Sequence, residues 1–433
     1  PDPGAHGVSA ITSYRQLFSY SGWQFVFFAF VGRIPMAMSQ IGTLLLVAQE
    51  TGSYGIGGAC AGALAVASAI GAPIAGGLAD RIGQRSVVLT QSLFGAVGMV
   101  GIVAATAADL NWLIIALIAA ITGLALPQVG PLARVRWRPI IADAGHESAD
   151  LVDTAFSYEG AADEASFVFG PALVGGAIAI VSPYFALLLA AVLLAVFGTL
   201  FALHRSAALL GHHDGMTAKG RLWSGALVAL CVGQLVIGMT FGSAQTGTSV
   251  LATLAGVPGA TGLLHALLGV GSVAAGILMA SLPRRIGYVT RLRWFSFGLF
   301  ALAAPLLLVS SLGTLAPVLL LLGLAVAPYM ITIFTVAERI TPRERTGAAM
   351  TMLAGATSLG YAVGSSLAGR LADWGGQSPA FAVTVAAGLL ALTISLTCGK
   401  LLRAKLAAAQ PQLGISAARE SAISTDLSGR PVS

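Results

Sequence analysis

Long apolar stretches alternate with short polar joints along nearly the whole chain. A membrane-spanning helix needs about 20 mostly apolar residues, and the chain holds twelve such stretches bounded by charged or turn residues. The pattern therefore predicts an all-α membrane protein with twelve transmembrane helices. The predicted helices cover residues 21–48, 55–78, 86–107, 112–134, 152–181, 184–204, 222–252, 259–282, 292–311, 314–337, 343–370 and 379–401.

The distribution of basic residues predicts the orientation of these helices. The chain has 23 Lys and Arg, and all but two lie in the joints after even-numbered helices and the two tails or within a few residues of them. The exceptions are Arg33 in helix 1 and Arg370 at the end of helix 11. Because cytoplasmic loops carry an excess of Lys and Arg, we expect both termini in the cytoplasm of a multi-pass protein of the inner (plasma) membrane.

The longest joint, residues 205–221, divides the predicted helices into two sets of six. We interpret it as a cytoplasmic linker between six-helix bundles at residues 21–204 and 222–403. Residues 1–20 are expected to form a cytoplasmic N-terminal tail. Residues 404–433, rich in Ala and Ser, are expected to form a disordered cytoplasmic tail.

The two sets of helices share short similar segments. Residues 123–127 (GLALP) resemble residues 323–328 (GLAVAP), and RIG occurs at both 81–83 and 285–287. These matches favour two six-helix pseudo-repeats around a central cavity. That arrangement suits alternating access, in which two halves rock about a fixed site.

Composition excludes several other classes of protein. The chain is 56% hydrophobic and 9% charged, whereas roughly a quarter of residues are charged in soluble domains. The net charge of +6 is dispersed between apolar stretches, so no nucleic-acid surface is expected. We expect no enzyme, no cofactor and no metal site, since catalytic motifs are absent and the tract His212, His213, Asp214 is better explained as a solvated loop.

The joint between helices 2 and 3, residues 76–85 (GGLADRIGQR), is a glycine turn flanked by opposite charges. It resembles the G-x-x-x-D-R-x-G-R-R signature of the major facilitator superfamily, with Gln84 replacing the first Arg of the closing pair. The resemblance implies that Asp80 holds the N-terminal end of helix 11, read here as a capping box at residues 341–344, when a cytoplasmic gate is closed. A simple topogenic turn is the alternative. The remaining gate residues are Gly76, Arg81, Gly83 and Arg85.

Helix 5 contains residues 170–176 (GPALVGG), which resemble the helix 5 motif of proton-coupled drug antiporters of the same superfamily. The resemblance implies a gate or leak seal formed by Gly170, Pro171, Gly175 and Gly176, whereas small-residue packing is the alternative. The antiporters' helix 4 signature with an intramembrane arginine is absent, since residues 112–130 contain no basic side chain.

Three acids lie in the same helix, in residues 158–164 (YEGAADE). Ionisable residues at membrane depth are costly and usually functional. Glu159 and Asp163 are four residues apart and share a face, whereas Glu164 points about 100° away from Asp163. Two hypotheses stay open: proton or cation handling by these acids, and structural pairing with Arg33. Both can hold, because breaking a buried pair by protonation is itself a switch.

Other polar residues in the spans are candidates for substrate contact or for interhelical hydrogen bonds. Helices 1, 4, 7 and 10 line the cavity in proteins that the chain resembles, so the candidates are Gln40, Gln128, Gln234 and Tyr329. We expect a monomeric secondary transporter in the lipid bilayer, a proton-coupled exporter of small amphipathic or cationic compounds. A nutrient or metabolite importer or facilitator of the same fold is the alternative.

Overall fold

A computed structural model describes residues 10–52, 54–145, 149–210, 224–257, 260–283, 285–342 and 345–409. These ranges contain helices joined by short turns and no strand. We label the helices in chain order as α1 (Ala10–Thr51), α2 (Tyr54–Ile82), α3 (Gln84–Ala107), α4 (Trp112–Asp143), α5 (Ala149–Ile180), α6 (Pro183–Leu203), α7 (Gly225–Leu254), α8 (Ala260–Leu278), α9 (Tyr288–Ala303), α10 (Leu312–Ile340), α11 (Thr346–Gly375) and α12 (Gln377–Thr397).

Within the described residues, ten of these helices are long and apolar enough to cross a membrane. The other two, α5 and α11, have 32 and 30 residues and are the more polar ones. At about 1.5 Å per residue both exceed the roughly 30 Å hydrocarbon core. Large apolar side chains such as Phe94, Val97 and Leu117 are 61% to 70% exposed on the outer surface, as a lipid-facing bundle requires. The protein is thus a multi-pass membrane protein, and twelve crossings remain a prediction.

Both predicted tails are partly helical. α1 begins at Ala10, and within residues 10–20 Leu17 is fully buried while the Tyr14 hydroxyl donates to the carbonyl of Ile277 at 3.0 Å. Gly22, with φ 74° and ψ 151°, then interrupts the helix. At the other end, residues 399–409 are helical, so the predicted tail starts too early there. The remainder of each predicted tail, residues 1–9 and 410–433, lies outside the described residues.

Helix α4 is broken, which the sequence pattern did not predict. Its first part is Trp112–Leu124 and its second part is Val129–Asp143. Pro127 lies in the break. It accounts for the interruption, because proline has no N–H and disfavours the helical conformation of the residue before it. The second part carries Arg134 and Arg136 into the bundle, where both are buried, instead of leaving them in a joint.

The chain halves α1–α6 and α7–α12 meet along two helix pairs, α2 with α11 and α5 with α8. A Cβ added at Gly76 would lie 2.7 Å from the carbonyl oxygen of Gly347, so α2 and α11 are in backbone contact there. On the other pair, Gly276 lies against Ala161. We call the end of the bundle where α2 joins α3 the gate end.

Candidate functional site

A buried ion-pair cluster joins α1 and α5. The Arg33 guanidinium lies 2.6 Å from Glu159 Oε2 and 2.8 Å from Asp163 Oδ1. It also donates to the carbonyls of Ala29 and Glu159. Arg33 is 5% exposed and Glu159 is fully buried. This geometry agrees with structural pairing of the acids with Arg33, because Glu159 and Asp163 lie on the face of α5 that contacts Arg33.

Helix α4 adds a second arginine to this cluster. Arg134 Nη2 lies 2.7 Å from Asp163 Oδ2, and its guanidinium stacks 4.2 Å above the ring of Phe334 in α10. Trp137 donates its indole N–H to Glu159 Oε1 at 2.7 Å. The expectation that the basic residues at and after the end of helix 4 belong to a joint was wrong for Arg134, which is 1% exposed. A basic residue among the apolar positions of Val129–Asp143 was the signal that could have shown it.

Arg136, two residues further along, has a different environment. Its guanidinium donates to Gln84 Oε1 at 2.9 Å, to the Phe201 carbonyl at 2.7 Å and to Ser206 Oγ at 3.2 Å. It also stacks 3.8 Å above the Phe201 ring. Gln84, the departure from the superfamily signature, is therefore a buried hydrogen-bond partner of this arginine.

Glu164 lies on another face of α5, as its 100° rotation from Asp163 predicts. It is 2% exposed and lies beside Ser272 of α8. No basic side chain in the described part of the chain forms an ion pair with it. Glu164 thus lies between the two halves, while Glu159 and Asp163 face arginines of their own half.

At the gate end, Asp80 of α2 accepts two backbone hydrogen bonds from the first turn of α11. The donors are the N–H groups of Gly347 at 3.0 Å and Ala348 at 2.8 Å. α11 begins at Thr346 with no side-chain cap of its own, so the predicted start at residue 343 was too early. Of the predicted capping box at residues 341–344, residues 343 and 344 lie outside the described residues. The N–H groups at this helix terminus, which have no partner within the helix, therefore donate to an acid of the other half.

The other predicted gate residues have separate positions. Gly83 ends α2 with φ 91°, a conformation that favours glycine, and separates it from α3. Arg81 and Arg85 are exposed on either side of it. Gly76 is buried against α11 one helical turn before Asp80.

Two further ion pairs join the halves at the gate end. Arg138 of α4 lies 2.6 Å from Glu338 of α10. Arg339 lies 3.0 Å from Asp153 of α5. Tyr288 of α9 donates its hydroxyl to the same aspartate at 2.6 Å. Glu338 and Arg339 are neighbours in the chain, and each pairs with a residue of the first half.

The helix 5 motif is only partly packed. A Cβ added at Gly170 would lie 2.6 Å from Ala37 Cβ of α1, so these two helices are close there. Pro171 lies inside the continuous helix α5. Gly175 and Gly176 have no atom within 4 Å of an added Cβ, so neither is in close contact with a neighbouring helix among the described residues.

Among the described residues, no hydrogen bond joins the candidate substrate residues to one another. Gln128 is buried and donates to Ser68 Oγ at 3.3 Å, and Gln234 accepts from Thr357 at 3.3 Å. The Gln234 amide nitrogen has no partner in the described part of the chain. Tyr329 is 1% exposed, and Gln40 is partly exposed.

Residues with metal-ligand chemistry are scattered. Among the described residues, no group of three or more His, Cys, Asp or Glu could hold a metal ion. The tract of His212, His213 and Asp214 lies outside the described residues. His265, partly buried in α8 near the ring of Phe241, has an Nδ1 atom without a partner in the described ranges.

Comparisons with known proteins agree on the fold. The family model of the Major Facilitator Superfamily matches residues 230–424. The crystal structure of the human organic anion transporter MFSD10 (TETRAN) is 20% identical with a TM-score of 0.65, over 86% of this chain and 99% of that one. A bacterial homologue of the iron transporter ferroportin, in an outward-facing state, is 15% identical with a TM-score of 0.69, over 87% and 98%. A search of curated proteins finds no match.

The chain therefore has the fold of a membrane transporter over nearly its whole length. The match to the Major Facilitator Superfamily model lies in the second half of the chain, and the solved structures extend the likeness of fold to the first half.

Proposed function

We propose that this protein is a proton-coupled secondary transporter with twelve crossings and cytoplasmic termini, which exports small amphipathic or cationic compounds by alternating access. The observation that carries the proposal is the position of Glu164, an acid buried between α5 and α8 with no ion-pair partner in the described residues. These helices belong to different halves, so their separation changes the surroundings of the acid.

The three acids in residues 158–164 of α5 divide into two roles. Glu159 and Asp163 face Arg33 and Arg134, so two negative charges meet two positive charges. A buried carboxylate without such a partner costs several kcal/mol in a medium of low dielectric constant, and binding a proton removes that cost. Glu164 is therefore the proton carrier, and the other two acids hold the first half together.

The gate-end contacts support a state closed to the cytoplasm. By the positive-inside rule this end is cytoplasmic, and Asp80, Arg138 and Asp153 each contact the second half there. Opening to the cytoplasm breaks these contacts, while the α5–α8 contact at Glu164 moves with the same rotation. Substrate binds between the halves, with Gln40, Gln128, Gln234 and Tyr329 as contacts.

Transport of tetraphenylphosphonium, a lipophilic cation, into proteoliposomes tests this proposal. An imposed pH gradient should drive its accumulation by the unaltered protein. Glu164→Gln should abolish gradient-driven accumulation but retain exchange of labelled for unlabelled cation. Glu50→Gln, a change at an exposed acid, should retain both. Accumulation by Glu164→Gln at the normal level would place the proton carrier elsewhere.

A second candidate is an organic anion as the transported compound. Nε and Nη1 of Arg134 form no hydrogen bond in the described part of the chain, although the side chain lies where the halves meet over Phe334. Free N–H groups of a guanidinium bind carboxylates. The human structural neighbour is named an organic anion transporter. Benzoate in the same proteoliposomes separates the two candidates, since only one of the two probes should accumulate.

A further inference from the structure

A crevice of about 250 Å³ opens at the gate end, away from the contact between the halves. Its walls come from the interruption in α1, the end of α4 and the end of α6. A second crevice beside it shares Ser21, His204 and Arg205 and adds Gly22, Trp23 and Gln24. Besides His204, the polar residues that line the first crevice are Ser19, Tyr20, Ser21, Asp143, Arg205 and Ser206.

The buried cation Arg136 lies directly behind this crevice. Its Nη1 atom donates to Ser206 Oγ, which lines the wall. All its hydrogen-bond partners are uncharged, and its Nη2 atom has no partner in the described part of the chain. A fully buried guanidinium without a carboxylate is an uncompensated charge, so it favours an anion nearby.

A second cation lines the opening. Arg205 is exposed and forms no ion pair among the described residues. Burial, together with the positive charges of Arg136 and Arg205, lowers the pKa of His204 to about 4. The histidine is therefore neutral at physiological pH. Asp143 lines the same crevice and is the acidic residue that opposes the charge of Arg205.

The backbone of α1 also favours an anion at the crevice. Gly22 interrupts the helix, so Trp23 and Gln24 form the first turn of a new helix that continues to Thr51. Both residues line the second crevice. The first N–H groups of a helix are free donors, and the helix dipole favours negative charge there.

The surface next to the crevice is apolar. Trp23 is 69% exposed and Phe27 is 44% exposed on the same face of α1, while Leu203 at the end of α6 is 43% exposed. We propose that this crevice binds the phosphate of an anionic membrane phospholipid, with Arg205 as its cationic ligand and the buried charge of Arg136 behind Ser206 adding to the attraction. Its acyl chains lie along Trp23 and Phe27. Basic pockets between helices near the membrane surface bind anionic headgroups in this way.

Native mass spectrometry and thermal stability in nanodiscs test the site. The protein is compared in phosphatidylcholine with and without phosphatidylglycerol. We expect retained phosphatidylglycerol and a higher melting temperature in its presence. Arg205→Gln should weaken binding about fivefold, the effect of one basic residue near a charged surface. Asp143→Asn should strengthen binding, because it removes the opposing charge.

Lys400→Gln is the matched control, since Lys400 is another exposed cation on the last helix, away from the crevice. It should leave retention of phosphatidylglycerol unchanged. Equal losses in Arg205→Gln and Lys400→Gln would show bulk attraction and overturn the site. Inorganic phosphate alone is the second arm: stabilisation by phosphate equal to that by phosphatidylglycerol would assign the crevice to a free phosphate compound and overturn the lipid. Arg136→Gln, if it folds, should lose binding more than Arg205→Gln.

Discussion

Arg33 of α1 and Glu159 of α5 form an ion pair 2.6 Å long, with side chains 4% and 0% exposed. Such a pair has lost its hydration, so it adds little net stability compared with apolar residues of the same size. Removing one partner is different, because it leaves the other charge buried and alone. That cost is about 3–5 kcal/mol.

Arg33→Gln should therefore lower the folded yield and the melting temperature strongly. Adding Glu159→Gln should restore both, because it removes the charge that the first change left unpaired. Adding Asp163→Asn instead should not, since Asp163 keeps Arg134 as a partner. Size-exclusion yield and melting temperature measure these effects. Rescue by Asp163→Asn in place of Glu159→Gln would show that the assignment of partners is wrong.

Asp80→Asn should open the gate end. The neutral side chain accepts the N–H groups of Gly347 and Ala348 more weakly and no longer interacts as a charge with the α11 dipole. Losing a helix cap costs about 0.5–2 kcal/mol, which shifts the ratio of open to closed protein by about two- to thirtyfold. Distances between spin labels at Ser86→Cys and Arg403→Cys, exposed sites in opposite halves, measure that fraction in a background without the native cysteines.

Gln84→Ala is the comparison for this variant. Gln84 contacts Arg136 and the Leu132 carbonyl within the first half, and its loss should lower the melting temperature with a smaller effect on the label distances. Label distances that are unchanged in Asp80→Asn would count against Asp80 as a latch.

Gly170→Ala and Gly175→Ala separate a seal from simple helix packing in the helix 5 motif. The methyl group at residue 170 would press on Ala37 and cost about 1–3 kcal/mol, whereas residue 175 has open space. We expect a lower melting temperature for Gly170→Ala and an unchanged melting temperature for Gly175→Ala. If the motif also seals the bundle, Gly170→Ala liposomes should leak protons. A Gly170→Ala variant that has a lower melting temperature but does not leak protons would favour helix packing alone.

Local sequence pattern predicted the helices and the shared face of Glu159 and Asp163, because hydropathy and the 3.6-residue period act within one segment. The superfamily resemblance also predicted the contact of Asp80 with the N-terminal end of α11. The pattern assigned Arg134 and Arg136 to a cytoplasmic joint, whereas both are buried in the bundle. Basic residues next to an apolar stretch fit either position. Their burial depends on partners far along the chain, namely Asp163, Phe201 and Ser206.

Arg138 and Glu338 offer the most direct test of the gate end, because each lies in a different half and they are 2.6 Å apart. Their side chains are 31% and 10% exposed, so the pair is partly screened. Partly exposed pairs of this kind contribute up to about 1 kcal/mol, a shift of about fivefold in the open fraction. Arg138→Glu and Glu338→Arg should each raise the open fraction measured with the Ser86 and Arg403 labels.

The two changes together recreate a pair with reversed charges and should return the label distances to those of the unaltered protein. Arg15→Glu, at an exposed site on the N-terminal part of α1, is the control for altered net charge and should leave the distances unchanged. Additive opening in the double variant would mean that each residue acts through other partners. In that case the pair does not hold the halves together, and Asp80 with the Asp153–Arg339 pair closes the gate end alone.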